Sequence, residues 1–169
     1  IPTNGSTQTR AAETCNGAGT SSIFNDSEGI LYCEIQALAN DTTARRLSIS
    51  DGTTNNGVEI GFTNVTNEIK NRIKSGGSTT ANLNYTATNV LNYNKIAFKF
   101  KVNDFAVFAN GQEVLTDTSG AVPTGLSELA FDRGDGTQNF YGKIRDIRVY
   151  NTKEMTDSEV DILLTKITS

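Results

Sequence analysis

Residues 94–114 read NKIAFKFKVNDFAVFANGQEV, and residues 140–151 read FYGKIRDIRVYN. In both stretches apolar and polar residues alternate, which is the period of a strand with one buried face. The pairs Asn-Asp at 103–104 and Asn-Gly at 110–111 have the composition of two-residue hairpin turns. We therefore predict two tight hairpins, followed after a polar loop by a long closing strand.

The rest of the chain has the same pattern. Short alternating runs are separated by clusters of Gly, Asn, Asp and Ser, residues that tolerate positive φ angles or favour turns. Strands are predicted at 29–38, 44–50, 57–63, 67–74, 79–86, 94–102, 105–109, 112–116, 126–132 and 139–150. The first segment, 1–28, is polar and contains at most one edge strand, near Thr9–Glu13. The pattern predicts an all-β fold, an antiparallel β-sandwich.

One short C-terminal helix is predicted at about 157–167. Thr156 and Glu159 have the spacing of a capping box, and Met155 can pack on Val160 as a hydrophobic staple. An apolar stripe follows at helical spacing: Val160, Leu163, Leu164 and Ile167. We predict that residues 155–167 close an open edge or end of the sandwich.

The first hairpin predicts which side chains reach the core. With its Asn-Asp turn, Val102 lies opposite Phe105 on the core face. Lys99, Phe108 and Glu113 then form a row on the opposite face. This row is a candidate ligand site, because an aromatic ring between charges can stack on a sugar and hydrogen-bond its hydroxyl groups. The alternative is a solvated face whose charges aid solubility.

The closing strand changes the parity of its apolar residues. Phe140, Gly142 and Ile144 share one parity, whereas Ile147 and Val149 share the other. A single β-bulge near Arg-Asp at 145–146 would return both groups to the core face, and we predict one there.

Length and charge narrow the class of protein. The 169 residues indicate a single domain, 1–169, with one core. The net charge of -4 does not suit a nucleic-acid partner. No apolar run is long enough to insert into a membrane. Because the sequence begins at Ile1 without Met, we expect a piece of a longer chain, whose other parts could form a homo-oligomer.

Two residue types are missing. The chain has no histidine, which excludes Ser-His-Asp and Cys-His catalytic units and imidazole-bound zinc. It also has no tryptophan, the widest stacking platform for a sugar ring. Two cysteines are present, Cys15 and Cys33; they either form a disulfide or Cys33 is a buried thiol in the first alternating run.

The polar loop 132–139 is a second candidate ligand site. Arg133 can bind a carboxylate or neighbouring hydroxyl groups through its guanidinium fork, and Asp135 and Asn139 can hydrogen-bond sugar hydroxyls. Asp132 and Asp135 could also contribute to a Ca²⁺ site, although two carboxylates fall short of the usual six to eight oxygen ligands. Arg-Gly-Asp at 133–135 spells an integrin-recognition tripeptide, and the alternative is an Arg that tethers its own loop through a salt bridge.

A family resemblance rests on two of these stretches. Residues 94–114, with Phe-Ala-Asn-Gly at 108–111, resemble the laminin-G-like members of the concanavalin A-like lectin and glucanase superfamily. Residues 140–151 and 155–159 resemble the same family's last strand and trailing helix. The resemblance implies a jelly-roll sandwich that often binds glycans. Residues 1–10 further resemble a segment that precedes such domains in bacteriophage tail and other virion proteins.

We therefore predict a non-catalytic, lectin-like domain that recognises a host cell-surface glycan as part of a phage tail or fibre protein. It would lie on the virion, or alternatively be secreted or displayed on a bacterial surface. A structural virion module for assembly or decoration, without a ligand, is the rival hypothesis. A glycoside hydrolase is a third, but the family's Glu-x-Asp-x-x-Glu pattern is absent: Glu34 is followed by Ile35 and Gln36.

Overall fold

The computed structural model describes residues 19–169, and all ten predicted strands and the predicted helix are present. In chain order, the elements are β1 (Glu28–Ala37), β2 (Arg45–Ser50), β3 (Gly57–Phe62), β4 (Glu68–Ser75), β5 (Ser78–Thr86), β6 (Asn94–Lys101), β7 (Asp104–Ala109), β8 (Gln112–Asp117), β9 (Glu128–Ala130), β10 (Gly142–Tyr150) and α1 (Asp157–Thr168). The strand predicted near Thr9–Glu13 lies outside the described residues.

The strands form two antiparallel five-stranded sheets that pack face to face. Sheet A has the order β5-β4-β3-β2-β9, and sheet B has the order β10-β1-β6-β7-β8. The prediction of an all-β antiparallel sandwich with one C-terminal helix is confirmed. The last two strands are shorter than predicted, because the chain leaves the ladder between them to form a loop over residues 131–141.

The main core lies between the two sheets. Its largest fully buried side chains alternate along the strands: Leu31, Ile35, Leu47, Ile49, Ile60, Ile69, Ile73, Ile96, Phe98, Phe100 and Phe105. Cys33 belongs to this core with 0 % exposure, which confirms its interpretation as a small apolar side chain. Burial raises the pKa of the Cys33 thiol well above its usual value. Cys15 lies outside the described residues.

The β6–β7 hairpin turns one residue earlier than predicted. Its turn residues are Val102 and Asn103, and Asn103 adopts a φ of 57°, which Asn tolerates well. Val102 is therefore 52 % exposed, and Phe105 pairs with Phe100 instead. Because each partner shifts by two positions, the paired side chains of the hairpin keep their predicted faces, and only Val102 leaves the core face.

The predicted bulge in the closing strand is confirmed. Glu34 pairs with Asp146 and Ile35 pairs with Ile144, so Arg145 is the extra residue of β10. The apolar residues on both sides of the bulge pack against the main core: Ile144, Ile147 and Val149.

The helix α1 covers the outer face of sheet B. Its capping box is confirmed, since Thr156 N donates to Glu159 Oε2 at 2.8 Å and the Thr156 hydroxyl accepts from Glu159 N. Val160 and Leu164 pack on a second apolar cluster of the sheet: Ile30, Tyr32, Ala97, Ala106 and Phe108. The helix thus covers a face, not an edge or end as predicted. No helix within residues 19–169 is both long and apolar enough to cross a membrane.

Candidate functional site

The outer face of sheet A is polar and carries a group of cations. Strand alternation directs Leu47 and Ile49 into the core, so their neighbours in β2 point outward. Two rows of paired residues cross this face, one of Ser48, Glu59 and Arg72 and one of Arg46, Gly61 and Lys70. We refer to Arg46, Glu59, Lys70 and Arg72, together with Arg133 of the 131–141 loop, as the cationic face.

Glu59 is the centre of the cationic face. Its carboxylate accepts hydrogen bonds from Arg72, with Nη2–Oε1 at 2.7 Å and Nε–Oε2 at 3.1 Å. Arg46 Nε lies 3.7 Å from Glu59 Oε2 on the other side. The Glu59 side chain is only 2 % exposed. One carboxylate is therefore shared by two guanidinium groups, which leaves an excess of positive charge.

Arg46 is buried and incompletely satisfied. It is 4 % exposed, and its Nη1 donates to the carbonyl oxygens of Arg45 and Phe62. Its Nε has no hydrogen-bond partner among the described residues. Burial lowers the pKa of Arg46 to about 10; Glu59 opposes this shift, and the nearby positive charges of Arg72 and Arg133 add to it. Arg46 thus remains charged at neutral pH, and its Nε–H is a donor that makes no hydrogen bond among the described residues.

Lys70 lies across β3 from Arg46. The residue between them is Gly61, where a Cβ atom would overlap the carbonyl oxygen of Arg45, so only glycine fits. Gly61 therefore adds no side chain between the two cations. Burial lowers the pKa of Lys70, and the positive charges of Arg46 and Arg72 lower it further. An anion bound between these groups would relieve their mutual repulsion.

The 131–141 loop follows β9 and runs along the side of β2 that faces away from β3. Arg46 N donates to the carbonyl oxygen of Gln138 at 2.8 Å, and the Ser48 hydroxyl donates to that of Asp132 at 2.9 Å. Gly134 has a φ of 94°, and a Cβ there would lie 2.8 Å from Ser50 Oγ. This close packing brings Arg133 to the cationic face, where its Nε is also buried without a partner among the described residues.

The loop is organised by its own acidic residues. Asp132 accepts a hydrogen bond from Gly134 N, and Asp135 accepts from the amide and hydroxyl of Thr137. Arg133 Nη2 forms a salt bridge with Asp135 Oδ2 at 2.9 Å. Burial of the Asp135 carboxylate alone would raise its pKa. Hydrogen bonds from Thr137 and Arg133 outweigh this effect and lower the pKa of Asp135 below its usual value. These contacts match the alternative in which the Arg tethers its own loop.

The loop geometry bears on the sequence-based hypotheses for this segment. Arg133 is folded back on Asp135 and Gly134 is buried, so the tripeptide is not displayed as an extended recognition motif. The two acids proposed for Ca²⁺ already accept N–H donors, and no cluster of three or more His, Cys, Asp or Glu side chains occurs within residues 19–169. The calcium hypothesis for Asp132 and Asp135 stays a prediction. Asn139 lies partly buried at the end of the same loop.

The other predicted ligand surface is not formed. Phe108 does pair with Glu113, but the ring is only 6 % exposed because α1 lies over it. Its partner on the other strand is Ala97, since the hairpin turn starts one residue earlier than predicted. Lys99 forms a salt bridge with Asp104 at 2.7 Å. The prediction of Phe108 as an exposed stacking platform is therefore wrong.

Sequence reasoning missed the strand residues of the cationic face. A signal was present, because Arg46 and Ser48 flank Leu47, and Glu59 stands between Val58 and Ile60. Such alternation predicts an outward side chain. It does not predict that charges from three neighbouring strands meet, since that depends on the register of the sheet.

A sequence profile of the concanavalin A-like lectin/glucanase superfamily matches residues 33–161. The chain belongs to this superfamily. The match covers both stretches that carry the resemblance noted from the sequence. A comparison with curated protein sequences finds no relative.

Several solved structures have the same fold. A carbohydrate-binding module of the Ruminococcus gnavus IT-sialidase, CBM40, bound to α2,6-sialyllactose, has a TM-score of 0.65 at 18 % identity, covering 91 % of this chain and 94 % of the module. The leech intramolecular trans-sialidase has a TM-score of 0.61 at 19 % identity, covering 83 % of this chain. The binding domain of botulinum neurotoxin DC, in complex with rat synaptotagmin II, has a TM-score of 0.59 at 16 % identity, covering 84 %.

These likenesses concern the fold alone, because all three identities are low. The chain matches almost the whole length of the R. gnavus module, but it spans 23 % of the leech enzyme and 36 % of the toxin chain. The solved neighbours thus include a module of about the same length and longer chains of which this fold is one part.

Proposed function

We propose that this domain is a non-catalytic carbohydrate-binding module whose cationic face binds a glycan with a carboxylated sugar. The observation that carries the proposal is the group of Arg46 and Arg72 around Glu59, in which the buried Nε of Arg46 makes no hydrogen bond among the described residues. A carboxylate is the ligand group that best matches the geometry of a guanidinium fork.

The local charge supports an anionic ligand. The protein has a net charge of -4, so a cluster of cations stands out from the rest of its surface. On the cationic face four positive side chains lie near three carboxylates. Glu59 pairs with Arg46 and Arg72, and Asp135 pairs with Arg133. Glu68 of β4 is close enough to raise the pKa of Arg46 and Lys70. The sialyllactose bound by the R. gnavus module is a glycan of this chemical class, which supports the proposal further.

The side chains have different roles in the proposed site. Glu59 is a positioning residue, because it orients Arg72 and Arg46 and is itself almost fully covered. Lys70 and Arg133 are only partly buried and can contact the ligand directly. Asp135 holds Arg133 in place.

A binding role fits this face better than hydrolysis. Retaining and inverting glycosidases need two carboxyl groups placed on either side of the scissile bond. The cross-strand neighbours of Glu59 are Ser48 and Arg72, so the adjacent strands supply no second acid beside it. Glu59 is also engaged by two guanidinium groups, which does not suit a general acid.

The rival hypothesis of a structural virion module without a ligand predicts a large apolar patch on one sheet. The outer face of sheet B is covered by α1, and the described outer face of sheet A is polar. This arrangement favours ligand binding. The placement of the domain on a phage tail rests on the resemblance of residues 1–10 and stays a prediction.

Affinity measurements on matched variants test the proposal. We expect sialyllactose to bind more tightly than lactose, which lacks the carboxylate. Lys70→Gln and Arg133→Gln should each weaken binding about tenfold or more, the cost of losing a charge-assisted hydrogen bond. Asp135→Asn is the control, since it breaks the same salt bridge but keeps the cation. Equal affinity for both sugars, or equal effects of the two loop variants, would contradict the proposal.

A further inference from the structure

Strand β5 is an edge strand without charged residues. Its sequence is STTANLNYT, and among the described residues it pairs only with β4. Edge strands of monomeric proteins are usually protected by charges, proline, bulges or short length. The other edges of the sandwich have such protection: β9 has three residues, and β8 and β10 carry charged side chains.

The ladder identifies which backbone groups of β5 face away from the sheet. Ala87 N donates to Asn67 O at 2.8 Å, which makes these two residues a hydrogen-bonded pair. Hydrogen-bonded and non-hydrogen-bonded pairs alternate in an antiparallel ladder. The pairs 68–86, 70–84 and 72–82 are therefore non-hydrogen-bonded. It follows that the backbone N–H and C=O groups of Asn82, Asn84 and Thr86 point toward the free edge.

Only this half of the strand is open. At the other half the Thr80 hydroxyl donates to Ala121 O at 2.7 Å, and the pairing with β4 shifts at the same point. The side chains of Asn82, Asn84 and Thr86 are all exposed. The open segment is thus short, neutral and centred on Asn84.

We propose that two copies of this chain associate by antiparallel pairing of β5 with β5 around a twofold axis at Asn84. In this register Asn84 pairs with its own copy, and Asn82 pairs with Thr86 on each side. Each pair would exchange two backbone hydrogen bonds. In a twofold contact a strand faces its own copy, so β10 would bring three cations and one acid against the same set, whereas β5 brings no charge.

The pairing would extend sheet A through both copies. Four strands in the order β4-β5-β5-β4 place the two Lys70 positions about 14 Å apart on one continuous face, from the usual strand spacing. If the cationic face binds glycans as proposed above, the dimer would present two sites side by side to a multivalent glycan. Only this consequence depends on the proposed function. A short strand pair buries less than a standard interface, so we expect a weak, concentration-dependent dimer.

Sedimentation of the chain without glycan tests the association, and Asn84→Pro is the decisive variant. Proline removes an outward N–H and is tolerated on the open side of an edge strand. We expect the wild type to shift from monomer to dimer mass with concentration, Asn84→Ala to do the same, and Asn84→Pro to stay monomeric. A wild type that is monomeric at every concentration, or an Asn84→Pro dimer, would overturn the inference.

Amide hydrogen exchange tests the inference without a variant. The amides of Asn82, Asn84 and Thr86 should gain protection as concentration rises, whereas those of Leu83 and Tyr85 should be protected throughout. Protection of all five at every concentration would mean that another segment of the same chain covers the edge, and would overturn the inference. Because no glycan is present, failure here is separate from failure of the glycan proposal.

Discussion

Glu59 and Arg72 form a forked ion pair across β3 and β4, with their closest atoms, Nη2 and Oε2, 2.6 Å apart. The pair lies on the outer face of sheet A, where Glu59 is 2 % exposed and also faces Arg46. A buried carboxylate on the outside of a sandwich is unusual and is stabilised only because two guanidinium groups surround it. This relationship underlies the first stability prediction.

Glu59→Gln should reduce the free energy of unfolding by about 3 kcal/mol, because it leaves two neighbouring guanidinium groups without their shared counter-ion. Urea denaturation measures the change. Asp146→Asn is the control, since its partner Arg148 is half-exposed and such a pair contributes at most about 1 kcal/mol. Equal effects of the two variants would show that Glu59 does not hold the cationic face together.

Phe108→Ala should destabilise the domain by about 3 kcal/mol or more, because it removes a large side chain from the cluster beneath α1. Helix content should fall along with stability if α1 undocks. The affinity for glycan of the protein that remains folded should not change. A stable variant with weaker glycan binding would restore the original hypothesis of a stacking platform.

Thr156→Ala should cost about 1 kcal/mol through loss of the capping box. Thermal or urea unfolding measures the change. The exposed Thr165 of the same helix offers a matched control, for which Thr165→Ala should have a smaller effect. An unchanged midpoint for Thr156→Ala would mean that the cap does not contribute to the docking of the helix.

Asp135→Asn should show a pH-dependent effect on stability. The pKa of Asp135 is lowered in the folded state, so its charge contributes stability that is present above the unfolded value, about 3.9, and is lost as pH falls through the folded pKa. Wild type should therefore exceed the variant in unfolding free energy at pH 6, and the difference should shrink in acid. A difference that is independent of pH would contradict the assigned salt bridge.

The local features of the fold could be predicted from the sequence. The capping box at Thr156 depends on four consecutive residues, and the bulge at Arg145 follows from a parity change within one strand. The position of the first turn was missed by one residue, because Asn103 suits either turn. The error removed only Val102 from the predicted core face, since a shift of two positions preserves the facing of the paired side chains.

The candidate site could be predicted only in part. Arg133 was identified from its loop, but Arg46 and Lys70 were not, because their approach depends on the register of the sheet, which places Gly61 between them. Phe108 was misassigned for a related reason. The sequence shows that α1 has an apolar face, but it does not show which surface that face will cover.

The most direct test of the central claim is a chemical-shift titration of the labelled domain with sialyllactose, with lactose as the reference. Saturable shifts confined to β2, β3, β4 and the 131–141 loop, and absent with lactose, are the expected result. The shifts should weaken as salt is added, because the proposed contacts are ionic and partly exposed. Shifts centred on α1 and β10, or the same shifts with both sugars, would contradict the assignment of the cationic face as a site for carboxylated glycans.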